Sequence, residues 1–332
     1  MKETNGRIKP AYKTTLGRMY CGLAEDALKK RPLSDLTNSV QLIFTSPPFP
    51  LNTKKRYGNR NGSEYVDWLA TFGPLFRNLL TDDGSVVIEV GNAWEPGRPV
   101  MSTLALKALI ELQEKAELQL CQEFICYNPA RLPSPAQWVT VERIRVKDAY
   151  TRLWWMALSD RPKADNRRIL QPYSPAMRKL LDRKKYNSGR RPSQHNIGEK
   201  SFLTDHGGSI PPNVLTISNT NSNDPYQQFC REYGIQGHPA RMPVELASFF
   251  ISFLTEKGNL VLDPFAGSNT TGYAAEKLKR RWAAIEASDA YVSASEFRFN
   301  LDDAASQKPQ KQGQAHADSR AVSATSSRQL GR

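Results

Sequence analysis

The chain has 332 residues, 39% of them apolar, and its 46 Lys and Arg outnumber 33 Asp and Glu to leave a formal net charge of +13. At roughly 150 residues per domain this is about two domains' worth of protein, able to bury a core without disulfides or a metal. Cys21, Cys121, Cys126 and Cys230 form no CxxC pair, no apolar run approaches the ~18–20 residues of a membrane span, and MKETNGRIKP lacks the apolar stretch of a signal peptide, which together exclude membrane, secreted-scaffold and zinc-finger classes and point to a reducing, cytoplasmic compartment.

Residues 1–16 read as an irregular arm. QLIFTSPPFP (41–50) is a short apolar run cut off by two prolines, the pattern of a buried strand in a parallel sheet. Tyr65 to Leu80 carries apolar residues at helical spacing (Val66, Leu69, Phe72, Leu75, Phe76, Leu79). Asp82-Asp83-Gly84 reads as a turn, SVVIEVG as a second buried strand, and Thr103 to Leu120 as a helix. Further on come a turn at Lys257-Gly258-Asn259, the strand LVLDPF, a glycine-bearing loop, a helix from about Thr270, and the strand RWAAIE (281–286). Strands alternating with helices predict an α/β domain with a doubly wound sheet. Residues 302–332, rich in Ser, Gln and Ala without apolar periodicity, read as a disordered tail.

The segment 129–215 interrupts the alternation. Residues 129–200 hold 17 Lys and Arg against 6 Asp and Glu, a net of +11 that leaves +2 for the rest of the chain. Trp138, Tyr150, Trp154, Trp155, Tyr173 and Tyr186 lie among these charges. A solvated basic surface is the bland reading. Such concentration suits a polyanion, because each neutralised phosphate releases counterions. We expect an inserted recognition module that is not part of the sheet. Trp154-Trp155, in the apolar run RLWWMAL, read as a core strand of that second region.

VLDPFAGSNTTG (261–272) is a strand, an acid at its carboxyl end, and a small-residue turn into a helix, which is where open α/β sheets bind ligands. It lacks the GxGxxG of a dinucleotide site. It also puts Tyr273 where a P-loop requires Lys. Asp263 instead offers a carboxylate to a cationic ligand such as the sulfonium and amino group of S-adenosylmethionine. Glu286, ending the next strand, can accept from both ribose hydroxyls. The competing reading is a tight strand–helix turn and a surface acid.

Thr45-Ser46-Pro47-Pro48-Phe49 follows the strand LIF. The prolines fix φ and lack N–H groups, so their carbonyls are aimed and not paired locally. Ser46 adds an acceptor and Phe49 a stacking face. The exocyclic amine of cytosine or adenine is a weak nucleophile because its lone pair is delocalised. Acceptors that hold both N–H groups localise that pair, provided the base is outside the duplex.

TSPPF together with DPFAGSNTTG resembles the amino-methyltransferase group of DNA methyltransferases. Ser before Pro-Pro is similar to the cytosine-N4 members, and the order catalytic segment, basic insert, cofactor loop resembles the permuted β class. The likeness is closer still to the PvuII-type modification methyltransferases, through EYVDW (64–68), LPSPAQWV (132–139), RIRVKDA (143–149), GGSIPPN (207–213), GHPARMP (237–243) and SNTTG (268–272). It covers about residues 9–301.

The resemblance implies a Rossmann-like S-adenosylmethionine-dependent methyltransferase with a mostly parallel seven-stranded sheet. An arm at 1–16 precedes catalytic and cofactor-binding halves at 17–128 and 216–301, with the target-recognition region 129–215 between them and the tail 302–332 last. Ser46, Pro47, Pro48 and Phe49 would be catalytic. Asp263, Pro264, Phe265, Gly267, Asn269, Thr270 and Thr271 would line the methionine end of the cofactor, and Glu286 would hold its ribose. His238-Pro239-Ala240-Arg241 would belong to the cofactor-side segment. Arg131, Arg143, Arg145, Lys147, Arg190 and Arg191 would meet DNA. The family's acid after the glycine of its N-terminal GD segment is missing at Gly22-Leu23, with Glu25 and Asp26 slightly later.

The expected reaction is methylation of the N4 amine of a flipped-out cytosine in duplex DNA, as the modification arm of a restriction–modification system with CAGCTG as its target. The cognate endonuclease shares the site and need not bind, and the chain acts as a monomer or weak dimer, away from membranes. An adenine-N6 enzyme and a non-catalytic DNA-binding protein on the same scaffold are the rivals. No Cys follows a proline, which disfavours a covalent cytosine-C5 route. His195, His206, His238 and His316 show no metal-ligand spacing, so no metal is expected. Glu89, ending VVIEV, is a structural acid or a proton acceptor.

Overall fold

The computed structural model describes residues 6–49, 62–218 and 224–304. Its first half comprises β1 (Tyr12–Lys13), β2 (Gly17–Cys21), α1 (Ala24–Ala27), β3 (Val40–Thr45), α2 (Gly62–Ala70), α3 (Phe72–Leu79), β4 (Leu80–Gly91), β5 (Ala93–Trp94), β6 (Met101–Ser102), α4 (Leu104–Lys115) and β7 (Gln119–Tyr127). Then come β8 (Tyr150–Ala157), α5 (Pro175–Arg183), β9 (Gly189–Arg190), β10 (Asn196–Ile197), β11 (Val214–Thr216), α6 (Pro225–Glu232), α7 (Val244–Leu254), β12 (Leu260–Asp263), α8 (Thr270–Lys277), β13 (Arg281–Glu286) and α9 (Asp289–Ala304).

The expected seven strands form the centre of the sheet in the order β2-β13-β12-β3-β4-β8-β7, and β1 and β11 extend its two edges. The first five are mutually parallel, whereas β8 runs antiparallel to both neighbours. Alternate residues of the central strands enter opposite faces. Ile43, Val86, Ile88, Leu262 and Ile285 pack on the α2–α4 side, and Leu42, Phe44, Val87, Val261 and Ala284 on the α7–α8 side. Cover on both faces explains why these strands read as unbroken apolar runs. In α4, Ala105, Ala108, Leu109 and Leu112 are buried at the helical period.

Several expectations change. The helix expected over 65–80 is two helices, because Pro74 excludes the carbonyl of residue 70 and therefore sits in the first turn of a new one. The helix expected to reach Leu120 stops at Lys115, and Gln119 already begins β7. Asp82-Asp83-Gly84 is a bulge inside β4. Val40 pairs with Leu80 and Leu42 with Ser85, and the Gln41 amide closes the excess residues by donating to the Asp83 carbonyl and carboxylate, both at 3.1 Å. The arm is partly structured, since Lys13 and Tyr12 pair with β2 and Tyr12 is buried.

The basic segment is not separate from the sheet. β8 lies between β4 and β7, with Trp154 and Trp155 buried in the main core, and β11 adds to β7. At the other end, α9 continues to Ala304, past the expected start of the tail; residues 305–332 lie outside the described residues, as do 1–5 of the arm. Among the described residues no helix is long and apolar enough to cross a membrane.

Candidate active site

From β3 the chain crosses by α2 and α3 to β4, and from β12 by α8 to β13 on the opposite side. The sheet therefore reverses its winding between β3 and β12, and the crevice beyond their carboxyl ends is where such sheets hold ligands. The two segments singled out in sequence leave these two strands. Thr45 Oγ1, one residue before Ser46, donates to Asp263 Oδ1 at 2.7 Å in the buried interior. The proline turn and the loop after β12 thus share one crevice.

At the turn, Pro47 is buried and Ser46, Pro48 and Phe49 are half-buried. Ser46 is hydrogen-bonded to the Glu89 carboxylate, which also accepts from Thr151 Oγ1 at 2.8 Å. Burial raises the Glu89 pKa despite these bonds and the nearby charge of Arg131. The Phe49 ring lies against Gly91 at the end of β4, where an added Cβ would fall 2.6 Å from the ring. Only glycine admits the ring there.

In the loop after β12, Asp263 is 4% exposed, and its carboxylate is committed to protein. Oδ1 accepts from Thr45 and from the Phe265 amide (3.1 Å), and Oδ2 accepts from Thr271 Oγ1 (2.6 Å). Burial nevertheless holds its pKa at about 6. This differs from the expectation that the carboxylate faces a cationic ligand, because its lone pairs tie β3 to the loop instead. Asn269 is likewise turned inward. It adopts φ +52°, caps α8 by accepting from the Gly272 amide, and donates to Tyr12 Oη at 2.8 Å. Thr270 is buried with its hydroxyl against that of Ser268, and Pro264 is buried.

Phe265 of the loop and Glu286 at the end of β13 remain partly exposed. Glu286 is half-buried, with Oε2 on the Gly267 amide (2.9 Å) and Oε1 on the Ser288 amide (2.8 Å); burial raises its pKa. Phe265 is half-buried against Trp68 and Phe72, at centroid distances of 5.5 and 5.1 Å. Gly267, at φ +53°, has the His238 ring 3.3 Å from where a Cβ would stand. His238 Nδ1 is buried without a hydrogen-bond partner and burial lowers its pKa; the residue also lines a cavity of about 340 Å³ with Tyr226, Cys230 and Arg241. An orphaned buried nitrogen, a carboxylate and an aromatic wall converging on one loop fit a ligand with polar ends and a planar ring, as S-adenosylmethionine has.

The basic residues fall into two groups. Arg131, Arg143, Arg145 and Lys147 stand on the β7–β8 connection, 128–149, which is tied to the catalytic end by Asn92 Nδ2 donating to Asp148 Oδ1 at 2.8 Å. Within it Lys147 Nζ donates to the carbonyls of Pro129 and Arg131, and Arg145 Nε to that of Pro99. Arg131 is half-buried and the other three are exposed, and the donors of Arg145 and Lys147 also help fold the loop. Arg190 and Arg191 are exposed on the β9–β10 hairpin.

Thr45 and Trp68 stand inside the motifs TSPPF and EYVDW, yet the sequence assigns neither a role at the site, and Thr151 carries no signal at all. Trp68 Nε1 donates to Glu25 at 3.3 Å, which brings one of the two later acids of the N-terminal segment to the aromatic wall.

The sequence model of the DNA methylase family matches residues 40–297. The chain is 45% identical over 293 residues to the type II methyltransferase M.PvuII of Proteus hauseri, covering 88% of this chain and 86% of that one. It is 24% identical to the type II methyltransferase M.BamHI of Bacillus amyloliquefaciens, over 84% of this chain and 56% of the relative. Among solved structures, a PvuII DNA methyltransferase described as cytosine-N4-specific superimposes with a TM-score of 0.70 at 38% identity, covering 89% of each chain. The M1.HpyAVI–SAM complex shares the fold, with a TM-score of 0.50 at 19% identity over 86% of this chain and all of that one.

Proposed function

This chain belongs to the DNA methylase family, and on that premise we propose that it methylates the exocyclic N4 amine of a cytosine flipped out of duplex DNA, using S-adenosylmethionine. The observation that carries the reading is the Thr45–Asp263 hydrogen bond, which joins the proline turn and the loop after β12 in one crevice at the switch point.

S-adenosylmethionine supplies an electrophilic methyl group on a sulfonium when bound. Glu286 would accept from its ribose hydroxyls, Phe265 and Trp68 would wall its adenine, and the loop from Asp263 to Thr271, with His238, would enclose its methionine end. On the other side of the crevice, Ser46 gives its one proton to Glu89. That leaves the Oγ lone pairs, together with the Pro47 carbonyl, facing a target amine. Phe49, seated on Gly91, offers the ring on which the base stacks. As the amine gains a methyl it loses a proton, which passes by way of Ser46 Oγ to Glu89. A carboxylate whose pKa is raised by burial is the stronger base for that step. No covalent bond between base and protein is required.

The basic 129–215 region, apart from β8, would recognise the target. Likeness to M.PvuII supports a modification role in a bacterial restriction–modification system, with CAGCTG as the site and no need to contact the cognate endonuclease. The test is incubation with radiolabelled cofactor and duplex DNA, then digestion to nucleosides. Label in N4-methylcytosine is expected. Label in N6-methyladenine or C5-methylcytosine overturns the base assignment, and retained DNA binding without label favours a non-catalytic protein.

A further inference from the structure

The connection 128–149 carries the two most exposed large aliphatic side chains among the described residues, Val146 at 86% and Leu132 at 79%. They belong to one site. Lys147, next to Val146, holds the carbonyl of Arg131, next to Leu132, at 3.2 Å. The loop presenting them is built: Asn128 N donates to Ala149 O, Asp148 N to Ser134 O and Ile144 N to Trp138 O, and Trp138 packs on Trp94 at 5.3 Å. It also stands beside the catalytic turn. Asp148 is bonded to Asn92, which follows the Gly91 that seats Phe49, and Arg131 acts on Glu89, the partner of Ser46.

Scattered surface aliphatics need no explanation. This pair is different because each member has a cation as its chain neighbour, Arg131 beside Leu132 and Lys147 beside Val146, with Arg143 and Arg145 on the same connection. Covering these cations with an uncharged apolar partner would cost their desolvation, whereas phosphate complements them. In duplex DNA, the apolar place between two phosphate rows is the base stack. Apolar side chains inserted between base steps unstack them, and an extruded base leaves a gap to fill.

We propose that Leu132 and Val146 form a wedge that enters the duplex where the target base leaves, and so hold that base out for the turn at Ser46–Phe49. The proposal rests on the DNA-methylating reading above. Both residues are positioning residues, since neither reaches the reacting atoms.

The experiment compares wild type with L132A/V146A in single-turnover methylation of two duplexes. They bear the site returned by methylation sequencing of an expressing strain, CAGCTG in the first instance. One duplex has the target cytosine paired with guanine; in the other it faces an abasic site, so extrusion is already cheap. The variant should act about tenfold or more slowly on the paired duplex and within about twofold of wild type on the other, because extruding the base costs most when it is paired and least when its partner is missing. A misfolded or weakly binding variant would lose both rates. Equal losses on the two duplexes, or no loss on the paired one, refute the wedge. Absence of any methylation mark in the expressing strain refutes the functional reading itself, and the wedge with it.

Discussion

Asp263 should make this protein less stable as pH rises, and Asp263→Asn should remove that dependence. The carboxyl is buried and its pKa stands at about 6 against an ordinary 3.8. The folded state thus binds its proton more tightly than the unfolded state. Its contribution is intact below the unfolded value, where the group is protonated in both states, and is lost as pH rises through the folded one. The gap between the two values corresponds to a penalty of about 3 kcal/mol at neutral pH. At about pH 5 roughly half of that penalty is present, so some 1.5 kcal/mol separates about pH 5 from pH 8. Asn keeps an oxygen for Thr45 and the Phe265 amide, and its NH₂ can donate to Thr271. Urea unfolding of both proteins across this range isolates the group. The difference in unfolding free energy between variant and wild type should grow by about 1.5 kcal/mol towards high pH. Parallel profiles would show that the ionised carboxylate is fully compensated by its three donors, and would refute the argument.

Ser46→Ala should lower turnover by on the order of 100-fold or more while calorimetry finds cofactor affinity within about twofold of wild type, since the hydroxyl bonds Glu89 and not the loop after β12. The acid limb of the wild-type rate profile should lie above the ordinary carboxylate range, because protonating Glu89 removes the acceptor that orients Ser46. Glu89→Gln should abolish that limb along with most of the activity. Gly91→Ala places a methyl 2.6 Å from the Phe49 ring; it should cut turnover sharply at a stability loss of about 1–3 kcal/mol, measured by urea unfolding. Arg190→Ala with Arg191→Ala should weaken DNA binding uniformly across sequences and reduce the slope of log affinity against log salt by about 1 per lost phosphate contact, as titrations at several salt concentrations would show.

Much of the fold was legible because buried parallel strands announce themselves. β3, β12 and β13 are covered on both faces, and α8 begins at Thr270 where Asn269 caps it. What escaped has physical causes. Asp-Asp-Gly has the composition of a turn, and only the side chain of Gln41 on a neighbouring strand makes it a bulge. YTRLWWMA looked foreign to the sheet because the charge and proline around it dominate any window wider than the strand. Tyr12 bonds Ser295 across 283 residues, a contact that no local pattern encodes. At the site, the two motifs and their juxtaposition were readable. The inward turn of Asp263 and Asn269 was not, since sequence gives the residue type and not where its lone pairs point.

The pairing of Leu42 with Val261 and of Ile43 with Leu262 spans most of the chain. A ribosome releases β3 on the order of 10–40 s before β12 follows. Throughout that interval the nascent polypeptide exposes an apolar strand whose neighbour has yet to be made, and the bend after Thr45 has nothing to lean on. Translation order therefore imposes a delay: no partial product has the assembled crevice between β3 and β12, and every copy passes through a sticky half-built stage that a chaperone would be expected to shield.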